Sequence, residues 1–348
     1  IGSVACASGM AALTNAFLNI LQAGDEIVAA CGLYGGTVEL FDDLKPFGIS
    51  VKYVSENKPE AFEAEITEKT RLVFAETIGN PKLDVTDIQA VAEVAHKHDV
   101  PLIVDNTVAT PYLIQPLKLG ADIVVHSTTK YMDGHATSVG GCIVDSGNFD
   151  WDAHAEKFPG LCTPDESYHG LTYTKAFGKG AYITKATAQL MRDLGSIQSP
   201  QNSFLLNLGL ETLHLRMPQH CRNAQKVAEY LSKNEKVAWV NYCGLPDNKY
   251  YSLAQKYMPN GSCGVISFGL KGGRDVSIKF MDSLEFIAIV THVADARSCV
   301  LHPASHTHRQ LTDEQLMEAG VRPDLIRLSV GIENADDIIA DIEQALNA

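Results

Sequence analysis

The sequence predicts an α/β protein in which a mostly parallel sheet is covered by helices on both faces and is followed by a smaller α+β domain. In the first half, short runs rich in β-branched residues alternate with segments of helical periodicity. Continuous apolar strands of this kind are typical of parallel sheets that are buried on both faces. A long helical segment then precedes a second set of strands. We therefore expect a large domain over residues 1–215 and a small domain over residues 216–348.

The strands of the large domain are predicted from apolar runs bounded by turn residues. These runs cover residues 25–30, 49–54, 71–76, 101–106 and 121–126. Between two of them, residues 84–99 have the periodicity of an amphipathic helix, with Asp84 or Thr86 as the N-cap. In parallel sheets ligands bind outside the carboxyl ends of the strands, where both Asp105 and Lys130 are expected.

The small domain is predicted from the pattern that follows the long helical segment at residues 204–232, which is interrupted by Pro218. Its strands are expected at residues 236–242, 264–270, 285–293 and 325–330, and its helices at residues 274–284 and 335–347.

Composition excludes several classes of function. The 348 residues include 28 basic and 42 acidic side chains, for a net charge of −14. Nucleic acids and anionic membranes attract basic surfaces, so neither is an expected partner. The chain has no apolar run of about 18 residues, the length of a membrane span. Its eight cysteines form no CxxC pair and indicate reduced thiols in the cytoplasm.

The first residues, "IGSVACASGM", contain no initiator methionine and no signal-peptide pattern. We interpret the chain as a fragment of a longer one.

The most informative stretch is "ADIVVHSTTKYMDGH", in which a strand ends at hydroxyl residues around Lys130. An isolated lysine of this kind is usually a solvated surface residue, but three features favour a functional one. Asp105 ends the preceding strand, 25 residues earlier. "ASGMAAL" places a glycine before a helix, where free amide groups suit a phosphate. "GLYGGT" presents Tyr34 in a glycine-rich loop.

An amine, a carboxylate, an anion cradle and an aromatic ring together match the requirements of pyridoxal phosphate. Lys130 would form the Schiff base, and Asp105 would keep the pyridine nitrogen protonated. Tyr34 would stack on the ring. The phosphate would be bound by the hydroxyl groups of Ser127 and Thr129 and by the amides of Gly9 and Met10.

The segment "VDNTVATPYLIQPLKLGADIVVHSTTKYMDGHATSVGG" at residues 104–141 resembles the pyridoxal-phosphate enzymes of cysteine and methionine metabolism, the transsulfuration family of fold-type I. The resemblance covers essentially the whole chain. Residues 157–217 and 240–273 are similar to the branch that uses O-acetylhomoserine. This implies a transferase that replaces the acetate of O-acetyl-L-homoserine with sulfide or a thiol such as methanethiol. The products would be homocysteine or methionine in methionine biosynthesis.

The resemblance also implies residue roles. It assigns Lys130 and Tyr34 to catalysis, and it assigns cofactor binding to Gly9, Met10, Tyr34, Asn80, Asp105, Ser127, Thr129 and Lys130. It further implies that Arg327 binds the substrate carboxylate as a bidentate fork, with Asn80 and Ser298 lining the same site.

The family has an upstream arm that reaches the phosphate of a neighbouring subunit, and we expect this arm to be missing here. The resemblance implies a homodimer or homotetramer with a site shared between subunits. Two alternatives stay open. One is a sister activity, either cystathionine γ-synthase or methionine γ-lyase. The other is a catalytically silent, truncated subunit.

Other candidate residues are interpreted as structural. His302, His306 and His308 lie close together, but no cysteine or carboxylate stands at ligand spacing, so no metal is expected. Glu76 and Asp133 could act as bases, although we favour structural roles for both. No GxGxxG motif follows a strand, which gives dinucleotide binding little support.

Overall fold

The computed structural model describes residues 1–307, 309, 312–318 and 321–348. Within these residues the chain forms a seven-stranded sheet and a five-stranded sheet. A fold with two sheets, the larger of them first in the chain, confirms the predicted α/β architecture with a second, smaller sheet domain.

The large sheet has the strand order β1-β7-β6-β5-β4-β2-β3. Its strands are β1 (Gly2–Cys6), β2 (Glu26–Ala29), β3 (Ser50–Tyr53), β4 (Thr70–Glu76), β5 (Leu102–Asp105), β6 (Ile123–Ser127) and β7 (Gly141–Asp145). Five neighbouring strands pair in parallel, in the order β3, β2, β4, β5 and β6. Strand β7 is antiparallel to both β6 and β1. The mostly parallel sheet is confirmed, and the antiparallel pair β1 and β7 is an addition that the apolar pattern did not predict.

Helices cover the large sheet. They are α1 (Gly9–Leu18), α2 (Gly35–Leu44), α3 (Pro59–Glu65), α4 (Ile88–Lys97), α5 (Thr110–Leu113), α6 (Pro159–Cys162), α7 (Tyr173–Phe177), α8 (Ala181–Lys185) and α9 (Arg192–Leu194). Successive residues of β2 and β4 are buried, so both faces of the sheet are covered. Phe17 of α1 and Phe41 of α2 meet Phe74 of β4 with ring centroids 5.3 and 5.9 Å from it.

Helix α4 begins later than the sequence indicates, and the predicted N-cap is wrong. Asp87 caps the helix, because its carboxylate accepts a hydrogen bond from the amide of Ala90. The hydroxyl of Thr86 instead donates to the carbonyl of Glu76 at 2.7 Å, and Asp84 lies 3.7 Å from the amine of Lys249. Both side chains are therefore held by tertiary contacts that the local pattern does not contain.

The second sheet has the order β10-β11-β12-β9-β8. It is formed by β8 (Val237–Asn241), β9 (Val265–Leu270), β10 (Ala288–Ile289), β11 (Cys299–Leu301) and β12 (Leu325–Ser329), and its helices are α11 (Tyr251–Tyr257), α12 (Arg274–Asp282), α13 (Asp313–Glu318) and α14 (Ala335–Asn347). The predicted strand at residues 285–293 is reduced to β10. The carboxylate of Asp341 accepts hydrogen bonds from the backbone amides of residues 285–287, so those amides do not pair with a neighbouring strand.

Helix α10 (Pro200–Lys233) connects the two sheets. Ser199 caps it by accepting from the amide of Asn202, and Pro218 lies within it. The helix continues across the predicted domain boundary between residues 215 and 216, so that boundary stays a prediction. No helix in the described part of the chain is long and apolar enough to span a membrane.

Candidate active site

Lys130 lies in the turn that follows β6, at the carboxyl edge of the large sheet. Its backbone carbonyl accepts from the amide of Gly134 at 2.7 Å, which closes the turn. The side chain is half-buried. Burial, together with the positive charge of Arg327, lowers the pKa of the Lys130 amine to about 8. About a tenth of this amine is therefore neutral at pH 7, far more than for an ordinary lysine, and a nucleophile or base requires the neutral form.

Asp105 ends β5, the parallel neighbour of β6, and lies in register with Val125. Its Oδ1 accepts from the amide of Thr107 at 2.9 Å. The hydroxyl of Thr107 in turn accepts from the amide of Ser127 at 2.8 Å, which joins the ends of the two strands. Burial raises the pKa of Asp105 to about 6. Asp105 and the turn that carries Lys130 thus share one edge of the sheet, as predicted.

Glu76 supplies a second carboxyl group beside Asp105, because β4 and β5 pair with these two residues in register. Burial and the neighbouring Asp105 raise the pKa of Glu76 well above its usual range. Its Oε1 accepts from the amide of Tyr34 at 2.7 Å. Glu76 therefore fastens the loop that carries Tyr34 to the end of β4, in keeping with the structural role favoured from the sequence.

The N-terminus of α1 meets the end of β6 at Gly9. A Cβ on Gly9 would lie 2.6 Å from the Cβ of Ser127, so only glycine allows this approach. Ser8 caps the helix through the amide of Ala11 at 3.0 Å. The first amides of a helix, here including those of Gly9 and Met10, have no carbonyl partner within the helix and attract anions. The helix amides predicted as a phosphate cradle therefore lie beside Ser127, and phosphate binding there stays a prediction.

Thr129 is held by its own loop. Its hydroxyl donates to the carbonyl of Gly140 at 3.1 Å and lies 3.2 Å from the amide of the same residue, from which it accepts. This pairing places Thr129 next to the cradle but engages its hydroxyl within the protein. A phosphate-binding role for Thr129 stays a prediction.

Tyr34 occupies the N-cap position of α2, and its side chain is 49% exposed. Its ring lies over Gly36, where an added Cβ would be 2.6 Å from the Cε1 atom of the tyrosine. The ring therefore packs against Gly36, and the backbone of Tyr34 is tied to Glu76 at the carboxyl end of β4. This location fits an aromatic group that packs against a ligand, although stacking stays a prediction.

Arg327 and Asn80 are brought together from the two halves of the chain. Arg327 lies on β12 and is buried, and its Nη1 donates to the Oδ1 of Asn80 at 3.3 Å. Its Nη2 donates to the carbonyls of Thr291 at 2.8 Å and His292 at 3.2 Å. Burial lowers the pKa of Arg327 from its usual value. The guanidinium is thus fixed between Asn80 and the loop that carries Thr291 and His292, and its charge acts on the amine of Lys130.

The hydroxyl of Ser298 is engaged by two groups of the protein. Its hydroxyl donates to Glu333 at 3.0 Å and accepts from the amide of Gly331 at 2.9 Å. These two bonds engage the hydroxyl within the small domain, so its contribution to a carboxylate site stays a prediction. The next residue, Cys299, is influenced by the charges of Lys130 and Arg327, although burial dominates and raises its pKa to about 11.

His292 is the residue at this site that sequence reasoning missed. Its Nδ1 lies 3.4 Å from the Nζ of Lys130, although 162 residues separate the two in the chain. It occupies the loop between β10 and β11. No motif surrounds His292, so the tertiary contact is the only signal that could identify it.

The histidines weighed as metal ligands have other partners. Both ring nitrogens of His302 are engaged, with Ser305 and with the carbonyl of Pro323 at 2.8 Å each. The Nδ1 of His306 lies 3.0 Å from the carbonyl of His302, and His308 lies outside the described residues. No group of three or more potential metal ligands occurs in the part of the chain that the structure describes. The absence of a metal stays a prediction.

The residues present fit pyridoxal phosphate on three structural grounds. The amine of Lys130 has a lowered pKa, a carboxyl group stands at the end of the adjacent strand, and the cradle at Gly9 is a close approach that a Cβ would fill. Pyridoxal phosphate requires a nucleophilic amine, a partner for its pyridine nitrogen and a phosphate site, and these three features match those requirements.

Comparisons with known proteins agree with this fit. Residues 2–347 match the family model described as Cys/Met metabolism PLP-dependent enzyme. The chain is 49% identical to the O-acetyl-L-homoserine sulfhydrylase of Leptospira meyeri, over 99% of this chain and 80% of the relative. It is 47% identical to the homocysteine synthase of Schizosaccharomyces pombe, over 99% of this chain and 81% of that protein.

Solved structures share the fold over nearly the whole chain. A putative O-acetylhomoserine (thiol)-lyase from Campylobacter jejuni, solved with N'-pyridoxyl-lysine-5'-monophosphate, superposes with a TM-score of 0.94 at 37% identity, covering 99% of this chain and 82% of that one. The O-acetylhomoserine sulfhydrylase of Wolinella succinogenes gives a TM-score of 0.86 at 36% identity, with 99% and 92% coverage.

Proposed function

The chain belongs to the pyridoxal-phosphate-dependent enzymes of cysteine and methionine metabolism, and from this premise we propose that it replaces the acetate of O-acetyl-L-homoserine with sulfide or a small thiol. The products are L-homocysteine, or methionine when methanethiol is the thiol, and acetate. The observation that carries the proposal is that a lysine with lowered pKa, in the turn after β6, and the carboxyl group of Asp105, at the end of the adjacent parallel strand β5, share one edge of the sheet. The names of the relatives support the choice of substrate.

Several groups of this chain would hold the cofactor. Lys130 would bind its aldehyde, Asp105 would face its pyridine nitrogen, and Tyr34 would pack on its ring. The amides at Gly9 and the hydroxyl of Ser127 would take its phosphate, with Met10 and Thr129 beside them. When bound, pyridoxal phosphate supplies an electron-withdrawing ring that stabilises negative charge on the carbon next to the substrate amine.

Lys130 is the proton carrier in this proposal. Once substrate occupies the site, its Nζ takes a proton from the substrate Cα, and a proton then leaves Cβ as the Cγ–O bond breaks and acetate departs. Sulfide or the thiol, having lost a proton, bonds to Cγ, and protons return through Nζ to Cβ and Cα. An amine whose pKa is about 8 can exchange protons in both directions near neutral pH. Tyr34 assists proton transfer near the departing group.

Arg327 orients the substrate by binding its carboxylate. The amide oxygen of Asn80 accepts from Nη1, and the carbonyls of Thr291 and His292 accept from Nη2, so both terminal nitrogens are held. A guanidinium fixed in this way can present its remaining donors to a carboxylate as a fork, which a lysine cannot imitate. Ser298 lines the same region in this proposal.

The decisive experiment replaces the amine. We expect Lys130→Ala to abolish both turnover and the visible absorbance of the bound cofactor, while Lys179→Ala, at an exposed position, leaves both unchanged. A Lys130→Ala protein that stays yellow and active refutes the proposal.

The substrate is identified by comparison of turnover with different donors and acceptors. O-acetylhomoserine with sulfide should exceed O-succinylhomoserine with sulfide, O-acetylhomoserine with cysteine, and methionine alone. Faster formation of cystathionine or faster elimination from methionine would favour a sister activity. A purified chain that binds no cofactor would favour a silent subunit.

We also propose a homodimer or homotetramer with the site shared between subunits. Phe204, Leu208 and Leu215 form an exposed apolar stripe on α10, with 56%, 46% and 63% of their surfaces accessible. The same end of α10 borders the cradle, because Asn202 donates to the carbonyl of Val139 at 2.9 Å. A second copy packed on this stripe would therefore reach the edge of the phosphate site.

Sedimentation analysis tests this assembly. Leu208→Lys should shift the protein towards monomers and weaken cofactor binding, because it places a charge in the apolar stripe. Phe47→Lys, an equally polar change at an exposed residue of the loop before β3, serves as the control. An unchanged sedimentation coefficient for Leu208→Lys contradicts the proposed interface.

The cytoplasm is the compartment that we propose for this chain. All eight cysteines lie among the described residues and are free thiols. Free thiols persist in reducing compartments, whereas oxidising compartments favour disulfides.

A further inference from the structure

We propose that His292 is a positioning residue for Lys130, and that its Nδ1 holds the lysine amine whenever this amine is not joined to the cofactor. The inference rests on the proposed function, since it takes Lys130 to be the lysine that binds the cofactor and carries the protons. It assigns a role to a residue that lies in none of the motifs described above.

The contact belongs to a tightly connected part of the fold. Nδ1 of His292 lies 3.4 Å from Nζ of Lys130. The loop that carries His292 is fastened to the turn that carries Lys130, because the amide of Ala296 donates to the carbonyl of Gly134 at 2.8 Å. The amide of Ala294 is held by the hydroxyl of Ser329 at 2.7 Å. The loop is thus anchored at two points just after His292, which places the imidazole against the amine.

The same residue also supports the carboxylate-binding side of the site. The backbone carbonyl of His292 accepts from Nη2 of Arg327 at 3.2 Å, while its side chain contacts Lys130. One residue therefore contacts both the proton carrier and the substrate-binding cation. This arrangement sets the distance between the two groups, on which the position of the substrate Cα relative to the amine depends.

The imidazole is neutral in this environment. The charged groups that act on it are the cations Lys130 and Arg327 and the carboxylates Asp133 and Asp295, and the Sγ of Cys299 lies 3.4 Å from its carbonyl. Burial and the charge of Lys130 lower the pKa of His292 to about 4. A neutral imidazole can accept a hydrogen bond at Nδ1, whereas a protonated one would repel the lysine.

The other ring nitrogen supports a functional interpretation. Nε2 of His292 is buried and has no hydrogen-bond partner among the described residues. An unpaired buried nitrogen is costly, so packing alone would favour an apolar residue at this position. The contact at Nδ1 gives a reason for the imidazole.

The first test measures the amine directly, without turnover. The cofactor-free chain is acylated with a small amine-reactive reagent over a range of pH, and the labelling of Lys130 is quantified by mass spectrometry. A neutral acceptor favours the protonated amine, so its loss in His292→Leu should lower the pKa of Lys130 further below about 8. His292→Asn keeps an acceptor at a similar distance from the backbone and should restore most of the difference.

The second test uses the enzyme with pyridoxal phosphate bound. We expect His292→Leu to reduce kcat about tenfold or more and to change KM by less than about twofold, because the substrate-binding groups remain and the amine is misplaced. His292→Asn should recover most of the lost rate. Arg297→Ala changes an exposed residue of the same loop and should behave like the unaltered protein.

The outcomes separate this inference from the proposed function. If His292→Leu leaves both the labelling profile and kcat unchanged, or if the Asn and Leu variants are equally impaired, His292 is not a positioning residue. If the Leu variant is unstable by thermal melting, His292→Ala replaces it in the same comparison with Asn. Failure of the function itself would appear in Lys130→Ala, as retained cofactor absorbance and turnover.

Discussion

Glu76 and Asp105 end two adjacent parallel strands in matched register, which places two carboxyl groups side by side at the edge of the candidate site. Burial raises the pKa of both, and Asp105 adds to the rise at Glu76. Two neighbouring carboxylates that are poorly solvated repel each other, so the protein without its cofactor carries a local cost here. A protonated pyridine nitrogen facing Asp105 would relieve this cost.

The first prediction follows from that cost. A carboxyl group whose pKa is raised in the folded state, here from 3.8 to about 6 at Asp105, binds its proton more tightly when folded. Ionisation therefore destabilises the fold above pH 6, and the effect disappears as the pH falls towards 3.8. In cofactor-free protein, Asp105→Asn should raise the free energy of unfolding at pH 7.5 by about 1–3 kcal/mol and by little near pH 4.

Urea unfolding of both proteins at the two pH values measures this difference. The same substitution should abolish turnover, because asparagine cannot keep the pyridine nitrogen protonated. If Asp105→Asn is less stable than the unaltered protein at pH 7.5, ionisation of Asp105 does not destabilise the fold.

The second prediction concerns the carboxylate fork. Arg327→Lys removes the hydrogen bonds to Asn80 and to the carbonyl of His292 together with the bidentate geometry. Charged hydrogen bonds contribute about 1.5–3 kcal/mol each, so we expect KM for O-acetylhomoserine to rise about 10- to 100-fold. Steady-state kinetics with sulfide in excess measures the change. The control is Arg322→Lys, which alters an arginine stacked on Trp239 and should leave KM unchanged. If both variants change KM equally, Arg327 does not bind the substrate carboxylate as a bidentate fork.

The third prediction tests the phosphate cradle. Gly9→Ala would place a Cβ 2.6 Å from the Cβ of Ser127 and would push α1 away from the end of β6. We expect the dissociation constant for pyridoxal phosphate to rise about tenfold or more, since one lost charge-assisted hydrogen bond is sufficient for this change. Absorbance titration of cofactor-free protein measures it. At Gly180 an added Cβ meets only Thr184, at 3.8 Å, so Gly180→Ala is the matched control. If the affinity of Gly9→Ala for pyridoxal phosphate is unchanged, the amides at Gly9 do not bind the phosphate.

The fourth prediction separates the ring of Tyr34 from its hydroxyl. Tyr34→Phe keeps the aromatic plate over Gly36 and the backbone bond to Glu76. Cofactor affinity should therefore persist, while kcat falls about 10- to 100-fold through the loss of a proton-transfer group. Tyr34→Leu should weaken cofactor binding as well. A Phe variant with full kcat would leave Tyr34 with a packing role alone.

Motif residues were predictable because short segments determine where they lie. The apolar runs of β5 and β6 end at Asp105 and just before Lys130, and parallel strands present their carboxyl ends at one edge. The glycine that begins α1 and the tyrosine before α2 are equally local signals. Predictions from local pattern were wrong where groups from elsewhere in the chain form the hydrogen bonds of a segment. Asp341 binds the amides of a segment with strand propensity, and Thr86 bonds to Glu76 instead of capping α4.

The amino-acid sequence alone determined the alternation of the parallel strands β2 to β6 with helices, the location of Asp105 at the end of one strand and of Lys130 just after the next, and the family to which the chain belongs. These properties depend on periodicity and on short motifs, which the chain carries regardless of its partners. Only the tertiary structure decided that Arg327 meets Asn80, that Ser298 is engaged by Glu333, and that His292 contacts the lysine amine. Contacts across more than a hundred residues, such as those of Arg327 and His292, depend on how the two sheets pack together, and no local pattern encodes that geometry.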